Sequence, residues 1–400
     1  MNRYAAIALT IASMFLVVMA ILVNSPALFY MATAIIATLG ASRLQAWLAV
    51  RGLRFERVTS PAVRVGECVT VEITVWSDRR LKRPLVTVVD RLPKQLVVAD
   101  RTPSLPIAPS FDQPIRTRYS FRPMRRGKYS WSQLTAFGTD ALGLVTLENN
   151  YTTEPLELTV YPSPLPVIAD IHPIIGWGAS DLDSGRTHGA GLEPRGVREF
   201  AQGDPLRYIH WRSSARRGQL MVKEFETGSG VHIHFLLQRT IGTDIGTQET
   251  STFEAMCGHA LFLAANYAKK GASVQFTSLE SREASRTHPE IREREIREVL
   301  TEIQPNQSAT LAQEISALRR QFEPGDTVVL FMSAADPHVP DILSGLIEIK
   351  VTCLLYDAVE YQDPKKPKAN IPSAADPSYI AQLESTGAET IVMPRVERLG

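Results

Sequence analysis

The sequence predicts a multidomain chain with a transmembrane helical hairpin, an antiparallel β-sandwich and a C-terminal α/β domain built on a mostly parallel sheet. Three observations predict this fold class. Two long apolar stretches stand near the N-terminus, short alternating runs bounded by turn residues follow, and strands alternate with amphipathic helices beyond residue 231. The 400 residues are enough for each soluble region to bury a core of its own.

Residues 1–50 favour a hairpin of two spanning helices, over about 5–23 and 27–47. The first stretch has no charged residue, and its length suffices to cross a hydrocarbon core of roughly 30 Å as a helix. The second is interrupted by Arg43, whose side chain can reach the headgroup region, with Trp47 at the interface. A cleaved signal peptide is the alternative, and the second apolar span that follows at once favours the hairpin.

The charges that flank the hairpin predict that both termini and the soluble domains face the cytoplasm. Arg3 precedes the first span, the connecting turn is uncharged, and four arginines follow or end the second span, namely Arg43, Arg51, Arg54 and Arg57. The three cysteines are far apart and odd in number, which implies no disulfide framework; they are Cys68, Cys257 and Cys353. An extracytoplasmic location remains the alternative.

Residues 54–162 are expected to form the β-sandwich, because apolar and polar residues alternate there in short runs. The clearest run covers 69–75, and further strands are expected over 85–89 and 156–160. Turn residues separate these runs, including a proline-rich stretch over 103–114. Short strands without helical periodicity are typical of an antiparallel sandwich.

Residues 231–400 are expected to form the α/β domain. Strands are predicted over 232–237, 273–278, 327–332, 351–356 and 390–393, and helices over 253–270, 291–303, 311–322 and 341–349. Repeated βα units favour an open parallel sheet with helices on both faces. Ligands of such sheets bind beyond the carboxyl ends of the strands.

A charged connector over 163–230 joins the two soluble domains, and its densest part is 189–226. That part contains seven basic and five acidic residues, yet it also contains enough aromatic and apolar side chains to predict a folded segment. Asp204 is expected to cap a helix over 206–217, which Gly218 would end. His210 and Trp211 are expected to fill a small core against the α/β domain.

The charged side chains of the connector have two interpretations. In the first, arginines pair with carboxylates inside the molecule and lock the domains together. In the second, they form a recognition surface for an acidic partner or a phosphate. The candidate residues under either interpretation are Glu193, Arg195, Arg198, Asp204, His210, Trp211, Arg216 and Lys223.

The same segment resembles the signature of the bacterial family called domain of unknown function 58. The matching positions include Gly191, Glu193, Arg195, Arg198, Phe200, Gly203, Asp204, Ile209, His210, Trp211, Ser214, Ala215, Arg216, Leu220, Lys223, Phe225 and Glu226. Upstream, the strings over 125–129, 139–144 and 160–162 look like the Ig-like region of that family. The two-span anchor belongs to the same layout.

The resemblance implies a protein of the bacterial inner membrane with an Ig-like sandwich and a C-terminal domain similar to von Willebrand factor A domains. Family members are often encoded beside MoxR-type AAA+ ATPases and transglutaminase-like membrane proteins. The implied function is a non-catalytic interaction or scaffold role with such an ATPase, in complex assembly or envelope maturation, with no cofactor. A net charge of +1 and the lack of a recognised motif give no support to nucleic-acid binding.

A von Willebrand A domain commonly holds Mg²⁺ in an Asp-x-Ser-x-Ser loop after its first strand, and the resemblance implies the same position here. Gln238 replaces the carboxylate, Thr240 keeps one hydroxyl, and Gly242 replaces the other. We therefore expect a degenerate site without metal. Asp244 and Asp336 are the residues that would be needed to rebuild it.

An enzyme is the competing class of function, either metal-dependent or hydrolytic. His210 lies in sequence near Asp204 and near two serines, Ser213 and Ser214, which together suggest a catalytic triad. A triad is defined by convergence in space, and no G-x-S-x-G elbow occurs. The sequence therefore favours a structural role for these residues.

Overall fold

The computed structural model describes residues 3–78, 80, 86–96, 104–108, 113–167, 194–199, 210–225, 232–247, 250–270, 272–276, 289–346, 348–363 and 371–396. The chain divides into two compact units, Met1–Tyr161 and Pro162–Gly400. The first contains the apolar helices and the β-sandwich, and the second contains the connector and the α/β domain.

The N-terminal hairpin consists of α1 (Arg3–Val23) and α2 (Pro26–Val50). Both helices are long and apolar enough to cross a membrane, with mean hydropathy of 2.8 and 1.4. Pro26 stands in the first turn of α2, where its missing N–H costs nothing. The helix continues three residues past the predicted end at Trp47, and Arg51 stacks over the Trp47 ring at 4.8 Å.

The last turns of α2 pack against the β-sandwich. Ser42, Ala46 and Ala49 recur on one face of the helix and are buried. Gly138 on the sandwich allows the close approach, because a Cβ there would lie 2.7 Å from Val50 Cγ1 and 2.8 Å from Ala49 Cβ. The second apolar helix is therefore joined directly to the soluble fold of its unit.

The sandwich has a three-stranded antiparallel sheet in the order β1-β3-β6, formed by β1 (Leu53–Val58), β3 (Val69–Ser77) and β6 (Ile115–Phe121). The facing sheet has the order β2-β8-β7-β4-β5, and its strands are β2 (Ala62–Arg64), β4 (Val86–Asp90), β5 (Ser104–Ile107), β7 (Gly127–Thr139) and β8 (Thr146–Tyr161). All its pairings are antiparallel except β2 with β8.

The alternation read from the sequence matches the burial of these strands. Along β3, Val69, Val71, Ile73 and Val75 are buried and join one core with residues of both sheets. One local expectation was wrong, since the proline-rich stretch 103–114, read as a turn, contains strand β5. Proline is compatible with this strand because β5 lies at the edge of its sheet.

Arg57 is one of the four arginines that were counted for the orientation of the hairpin. Its side chain is almost completely buried in the sandwich, where Nη1 lies 2.9 Å from Asp90 Oδ1. The Tyr119 hydroxyl donates to the other Asp90 oxygen at 2.7 Å. Arg54 is likewise paired, with Asp78 at 2.6 Å, although that pair is exposed. Arg54 and Arg57 thus form ion pairs within the first unit, and the orientation of the hairpin stays a prediction.

The connector contributes a two-stranded antiparallel sheet, β9 (Pro194–Glu199) with β10 (Met221–Phe225), and a short helix, α3 (Trp211–Arg217). Gly218 ends α3 in the left-handed conformation at φ 71°, and its N–H donates to the Ser214 carbonyl. The predicted C-terminal cap is confirmed.

The α/β domain has one parallel sheet with the order β12-β11-β13-β14-β15. Its strands are β11 (His232–Leu237), β12 (Ser273–Phe276), β13 (Thr327–Met332), β14 (Lys350–Tyr356) and β15 (Glu389–Met393). Its helices are α4 (Thr252–Lys269), α5 (Pro289–Glu302), α6 (Leu311–Leu318), α7 (Val339–Leu343), α8 (Ala358–Tyr361) and α9 (Pro377–Ser385). Two separate apolar cores involve this sheet, and the strand order reverses between β11 and β13.

Two helix predictions in this domain need correction, and one helix was missed. The helix expected over 341–349 is α7, which starts at Val339 and ends at Leu343. The helix expected over 311–322 ends at Leu318 and continues as a 3₁₀ turn over Arg319–Gln321. Helix α9 was not predicted, although Asp376 as N-cap and Pro377 after it are the usual start signals.

Buried histidines make the stability of this domain depend on pH. Burial lowers the pKa of His259 to about 4, and burial also lowers the pKa of His234, opposed by its bond to Asp326. The folded domain therefore holds fewer protons than the unfolded chain below the ordinary histidine pKa of about 6.5. Stability from His259 is complete above that pH and is lost as the pH falls through about 4.

We expect acidification from about pH 6.5 to about 4 to lower the free energy of unfolding of the α/β domain by about 3 kcal/mol through His259. Urea unfolding followed by hydrogen exchange of peptides from this domain measures the loss. The His259→Gln variant keeps a polar group near the Tyr356 hydroxyl, which lies 2.9 Å from Nδ1. An equal acid sensitivity in that variant would contradict the assignment.

Candidate functional site

The first candidate site is the crevice beyond the carboxyl ends of β11 and β13, where the strand order reverses. Gln238 comes directly after β11 and is buried. Its Oε1 accepts from the backbone N–H groups of Ser333 and Ala334, at 3.0 and 2.9 Å, and its Nε2 donates to the Ala334 carbonyl at 3.0 Å. The amide at the position of the expected carboxylate thus bridges two strand ends.

Arg239 is held by a carboxylate that lies far from it in sequence. Its Nη2 lies 2.9 Å from Glu314 Oε1 on α6, and both side chains are buried. Burial raises the pKa of Glu314, and the neighbouring guanidinium offsets part of that rise. The positive charge beside Gln238 is therefore neutralised inside the fold.

The side-chain oxygen atoms of Thr240, Asp336 and Asp244 also form hydrogen bonds within the domain. The Thr240 hydroxyl donates to the Ala309 carbonyl at 3.0 Å. Asp336 accepts from the Ala312 and His338 N–H groups, at 3.0 and 3.2 Å, and Asp244 accepts from Phe253 N–H at 3.1 Å. Gly242 has a φ of 90° and offers no side-chain ligand.

This donor set does not fit Mg²⁺, which prefers several anionic or carbonyl oxygens in octahedral array. Within the described ranges, no group of three or more His, Cys, Asp or Glu side chains is placed to hold a metal ion. Asp244 and Asp336 serve the ends of helices instead of converging on Thr240. The expectation of a metal-free loop stays a prediction, and the side chains of Gln238, Arg239 and Thr240 each form a bond within the fold.

The second candidate site is the connector, and the structure describes only part of its predicted residues. Glu193 and Asp204 lie outside the described residues. Arg195 and Arg198 lie on β9, and Lys223 lies on β10, but their side chains are not described. Arg198 is in register with Val222, so Arg198 and Lys223 occupy adjacent strands of the small sheet.

His210 is the N-cap of α3, which corrects the prediction that Asp204 caps a helix over 206–217. His210 Nδ1 accepts from the Ser213 N–H at 3.1 Å and lies 2.8 Å from Ser213 Oγ. Because Nδ1 accepts the backbone proton, the Ser213 hydroxyl donates to it. The pair is a helix cap in its geometry, and the described residues place no carboxylate on the other ring nitrogen.

Ser214 joins the helix to the small sheet. Its Oγ accepts from the Met221 N–H at 2.8 Å and donates to the His210 carbonyl at 3.1 Å. The His210 N–H in turn donates to the Met221 carbonyl at 2.7 Å, and Met221 is buried. Ser214 is therefore a buried structural residue, and the base of α3 is firmly attached to β10.

Trp211 is exposed, which corrects the expectation that it fills a core. Its exposed fraction is 68%, and Arg212, Ala215 and Arg216 are also exposed. Positions 211, 212, 215 and 216 share one side of a helix. We call these four side chains the α3 face. Within the part of the chain that the structure describes, neither Arg212 nor Arg216 forms an ion pair.

Sequence reasoning missed the residues that complete both sites. Ser333 and Glu314 come from distant elements, and no spacing in the sequence links them to Gln238 or Arg239. The exposure of Trp211 also had no local signal, since aromatic residues are most often found in cores. Ser214 was noted as a signature position and as a possible nucleophile, and its structural bond to Met221 was not foreseen.

These features define a class of protein: a chain with two helices suited to a membrane, a β-sandwich, and a doubly wound α/β domain that follows a connector with an exposed aromatic and basic helix face. Residues 196–342 match the family described as "Protein of unknown function DUF58". The match covers the end of the connector and the first part of the α/β domain, and it supports the resemblance read from the signature.

Solved structures give partial likenesses only. The CARDB domain of a Pyrococcus furiosus protein is 17% identical, with a TM-score of 0.20 over 27% of this chain and 91% of that chain. The PKD domain of an M14-like peptidase from a Thermoplasmatales archaeon is 13% identical, with a TM-score of 0.17 over 26% and 91%. A β-glucosidase from Listeria innocua is 9% identical, with a TM-score of 0.18 over 27% of this chain and 16% of that chain.

These TM-scores are too low to support any argument about function. No curated protein matches the chain.

Proposed function

We propose that this protein is a membrane-anchored docking protein whose α3 face binds an acidic surface on a protein partner. The observation that carries the proposal is the exposure of Trp211, at 68%, on a helix whose base is fixed by Ser214 and His210. Among the two interpretations of the connector, this arrangement favours a docking surface. A MoxR-type AAA+ ATPase is the partner class that the family resemblance supplies.

The chemistry of the α3 face supports this proposal. Trp and Arg are the residue types that most often dominate the binding energy of protein interfaces. An exposed indole beside two guanidinium groups suits a carboxylate-bearing surface, because arginine binds carboxylates in a bidentate manner. The bonds from His210 and Ser214 hold α3 on β10, which lowers the conformational entropy lost on binding.

The proposal includes the finer features that the resemblance implies. The α/β domain would be related to von Willebrand A domains and would act without Mg²⁺, because the loop after β11 is filled by its own hydrogen bonds. The soluble domains would lie in the cytoplasm, where an ATPase partner and its nucleotide are available. The scaffold would then connect the membrane to complex assembly or envelope maturation.

The docking experiment is crosslinking of the tagged full-length protein in native membranes with ATP present, followed by identification of the copurified proteins. We expect an AAA+ ATPase in the wild-type sample. Trp211→Ala, and separately the double variant Arg212→Glu and Arg216→Glu, should each lower its recovery. A central interface tryptophan contributes at least ~2 kcal/mol, which corresponds to about thirtyfold in affinity.

Matched controls come from exposed residues elsewhere in the second unit. Ile241→Ala removes a side chain of 67% exposure, and Arg320→Glu reverses an exposed charge. Recovery should stay at the wild-type level in both. If all variants recover the same partner equally, the α3 face is not the docking surface. If a different acidic protein is recovered and is lost in the Trp211 variant, the α3 face is the docking surface but the partner is not an AAA+ ATPase.

The proposed cytoplasmic location has its own test through Cys68. Cys68 is the exposed cysteine, whereas Cys257 and Cys353 are buried, so a membrane-impermeant maleimide reports on Cys68. We expect labelling only after the cells are permeabilised. Ser25→Cys, in the turn between α1 and α2, is the matched control and should be labelled in intact cells. Labelling of Cys68 in intact cells would place the sandwich outside the cytoplasm.

A further inference from the structure

We propose that the tip of the β7–β8 hairpin, residues 141–143, inserts into the lipid surface beside α2. This inference rests on the proposed membrane anchor and adds a second contact with the bilayer, made by the sandwich itself. The tip belongs to the string 139–144, which resembles the Ig-like region of the family and which docking through α3 does not explain.

The hairpin tip is attached to the side of α2. The Ala141 N–H donates to Gln45 Oε1 at 3.2 Å, and the Asp140 carboxylate accepts a hydrogen bond from Ser42. Ser42 is buried against the sandwich, in the same stripe as Ala46 and Ala49. The tip therefore lies at the level of residues 42–45 of the helix.

The rise of the helix places that level at the edge of the hydrocarbon. Helix α2 begins at Pro26, so Ser42 and Gln45 lie roughly 24 and 29 Å further along its axis. The hydrocarbon core is roughly 30 Å thick, and tilt of the helix would place these residues deeper. Trp47, with Arg51 stacked on it, follows within two turns, and this pairing is typical of the membrane–water interface.

Most N–H groups of the tip donate to acceptors within the protein. Asp140 N–H donates to the Val145 carbonyl at 3.2 Å, and Gly143 N–H donates to the Asp140 carbonyl at 3.1 Å. The Asp140 carboxylate accepts from Leu142 N–H at 3.2 Å and Val145 N–H at 2.8 Å. With Ala141 bonded to Gln45, five of the six N–H groups over 140–145 have acceptors within the protein, Leu144 being the exception.

A turn in water does not need such pairing, whereas a turn whose apex enters the hydrocarbon does, because an unpaired amide there is costly. The charge of Asp140 is also kept away from lipid. Its exposed fraction is 5%, and although burial raises its pKa, the hydrogen bonds from Val145, Ser42 and Leu142 outweigh this and leave the pKa below the ordinary value.

The apex of the tip is apolar and open. Leu142 is 63% exposed, and Ala141 and Gly143 beside it are exposed as well. A single exposed leucine is ordinary on a protein surface. Here it projects from a turn in which the N–H groups of residues 140–143 are all paired, and it stands level with the interfacial end of α2. Lipid is the occupant that fits both observations.

The test uses the full-length protein with Cys68→Ser, so that the exposed native cysteine does not react. Leu142→Cys is labelled with an environment-sensitive fluorophore, and the protein is reconstituted into vesicles of phosphatidylethanolamine and phosphatidylglycerol. Quenching by spin-labelled lipid and by aqueous iodide is measured. Leu142 is mostly exposed, so its replacement removes little packing from the fold.

Two matched positions make the outcomes distinct. Ile36→Cys, on the exposed side of α2, reports on the anchor, and Val58→Cys, at the far end of β1, reports on a 60% exposed apolar site of the sandwich. We expect lipid quenching at position 142 to be severalfold stronger than at position 58, with protection from iodide.

Lipid quenching at 36 but not at 142 would overturn the inference and leave the anchor intact. Failure at both 36 and 142 would show that the anchor is wrong. Protection from iodide at 142 without lipid quenching would mean that protein covers the tip, which also overturns the inference.

Discussion

Replacement of Asp90 by alanine is expected to destabilise the β-sandwich by about 3–5 kcal/mol, because it leaves a buried guanidinium without its anion. The side chains of Arg57 and Asp90 are 1% and 0% exposed, and their atoms lie 2.9 Å apart. The second Asp90 oxygen holds the Tyr119 hydroxyl at 2.7 Å, so the substitution leaves that group unpaired as well.

The arginine is fixed by further bonds that prevent it from reaching solvent. Its Nη2 donates to the Trp131 carbonyl at 3.0 Å and to the Thr153 hydroxyl at 2.6 Å. Burial, with Asp90 beside it, raises the pKa of Tyr119 far above its ordinary value, which is consistent with a dry site. The charge therefore stays inside when its partner is removed.

Asp78→Ala is the matched control, since Asp78 pairs with Arg54 on the surface, with exposed fractions of 39% and 65%. An exposed pair contributes ~0.2–1 kcal/mol. Urea unfolding of the purified full-length protein, followed by hydrogen exchange of peptides from residues 53–161, measures both variants. Equal losses in the two variants would refute the importance of the buried pair.

Replacement of Arg239 by methionine is expected to destabilise the α/β domain by about 3–5 kcal/mol for the same reason, with the carboxylate now left alone. Glu314 is 4% exposed, and Arg239 Nη2 at 2.9 Å is its described cationic partner. The double variant Arg239→Met and Glu314→Leu should recover most of the loss, because an apolar pair of similar volume tolerates the buried position.

The pH dependence of the Arg239→Met variant provides a second readout. Without the guanidinium, burial raises the pKa of Glu314 further above the ordinary value of 4.5. Relative to wild type at the same pH, the penalty should be small below that value and should grow as the pH rises through the raised pKa. A penalty that does not change with pH, or no recovery in the double variant, would show that lost packing dominates.

The two buried pairs stabilise different domains of the molecule. The pair in the sandwich supports a domain that α2 joins directly, so its loss would loosen the part of the fold beside the membrane. The pair in the α/β domain ties the loop after β11 to α6. The double variant tests whether that loop needs its charges.

Element types were largely predictable because they depend on local periodicity. The β11 and β13 strands have the predicted bounds, 232–237 and 327–332, since continuous apolar runs mark strands that are buried on both faces. Helix ends were less predictable. Asp204 is of a residue type that commonly caps helices. The N-cap of α3 is nevertheless His210, because its ring nitrogen accepts the Ser213 N–H in the folded connector.

The sequence by itself determined the order of the domains, the two apolar helices, the alternation of the sandwich strands and the parallel α/β sheet. These features follow from side-chain patterns within a few turns or strands of chain. Only the tertiary structure decided which polar groups form hydrogen bonds or ion pairs inside the fold and which remain on the surface. Gln238 meets a loop 96 positions away, and Arg57 meets Asp90 across 33 positions.

The physical reason is that a hydrogen bond or an ion pair depends on where two side chains meet in space, and periodicity contains no information about that meeting. The same limit applies to the surface. Trp211 in the connector and Leu142 at the hairpin tip are apolar residues that a pattern assigns to a core, and the packing of α3 on β10 and of the hairpin on α2 leaves both exposed.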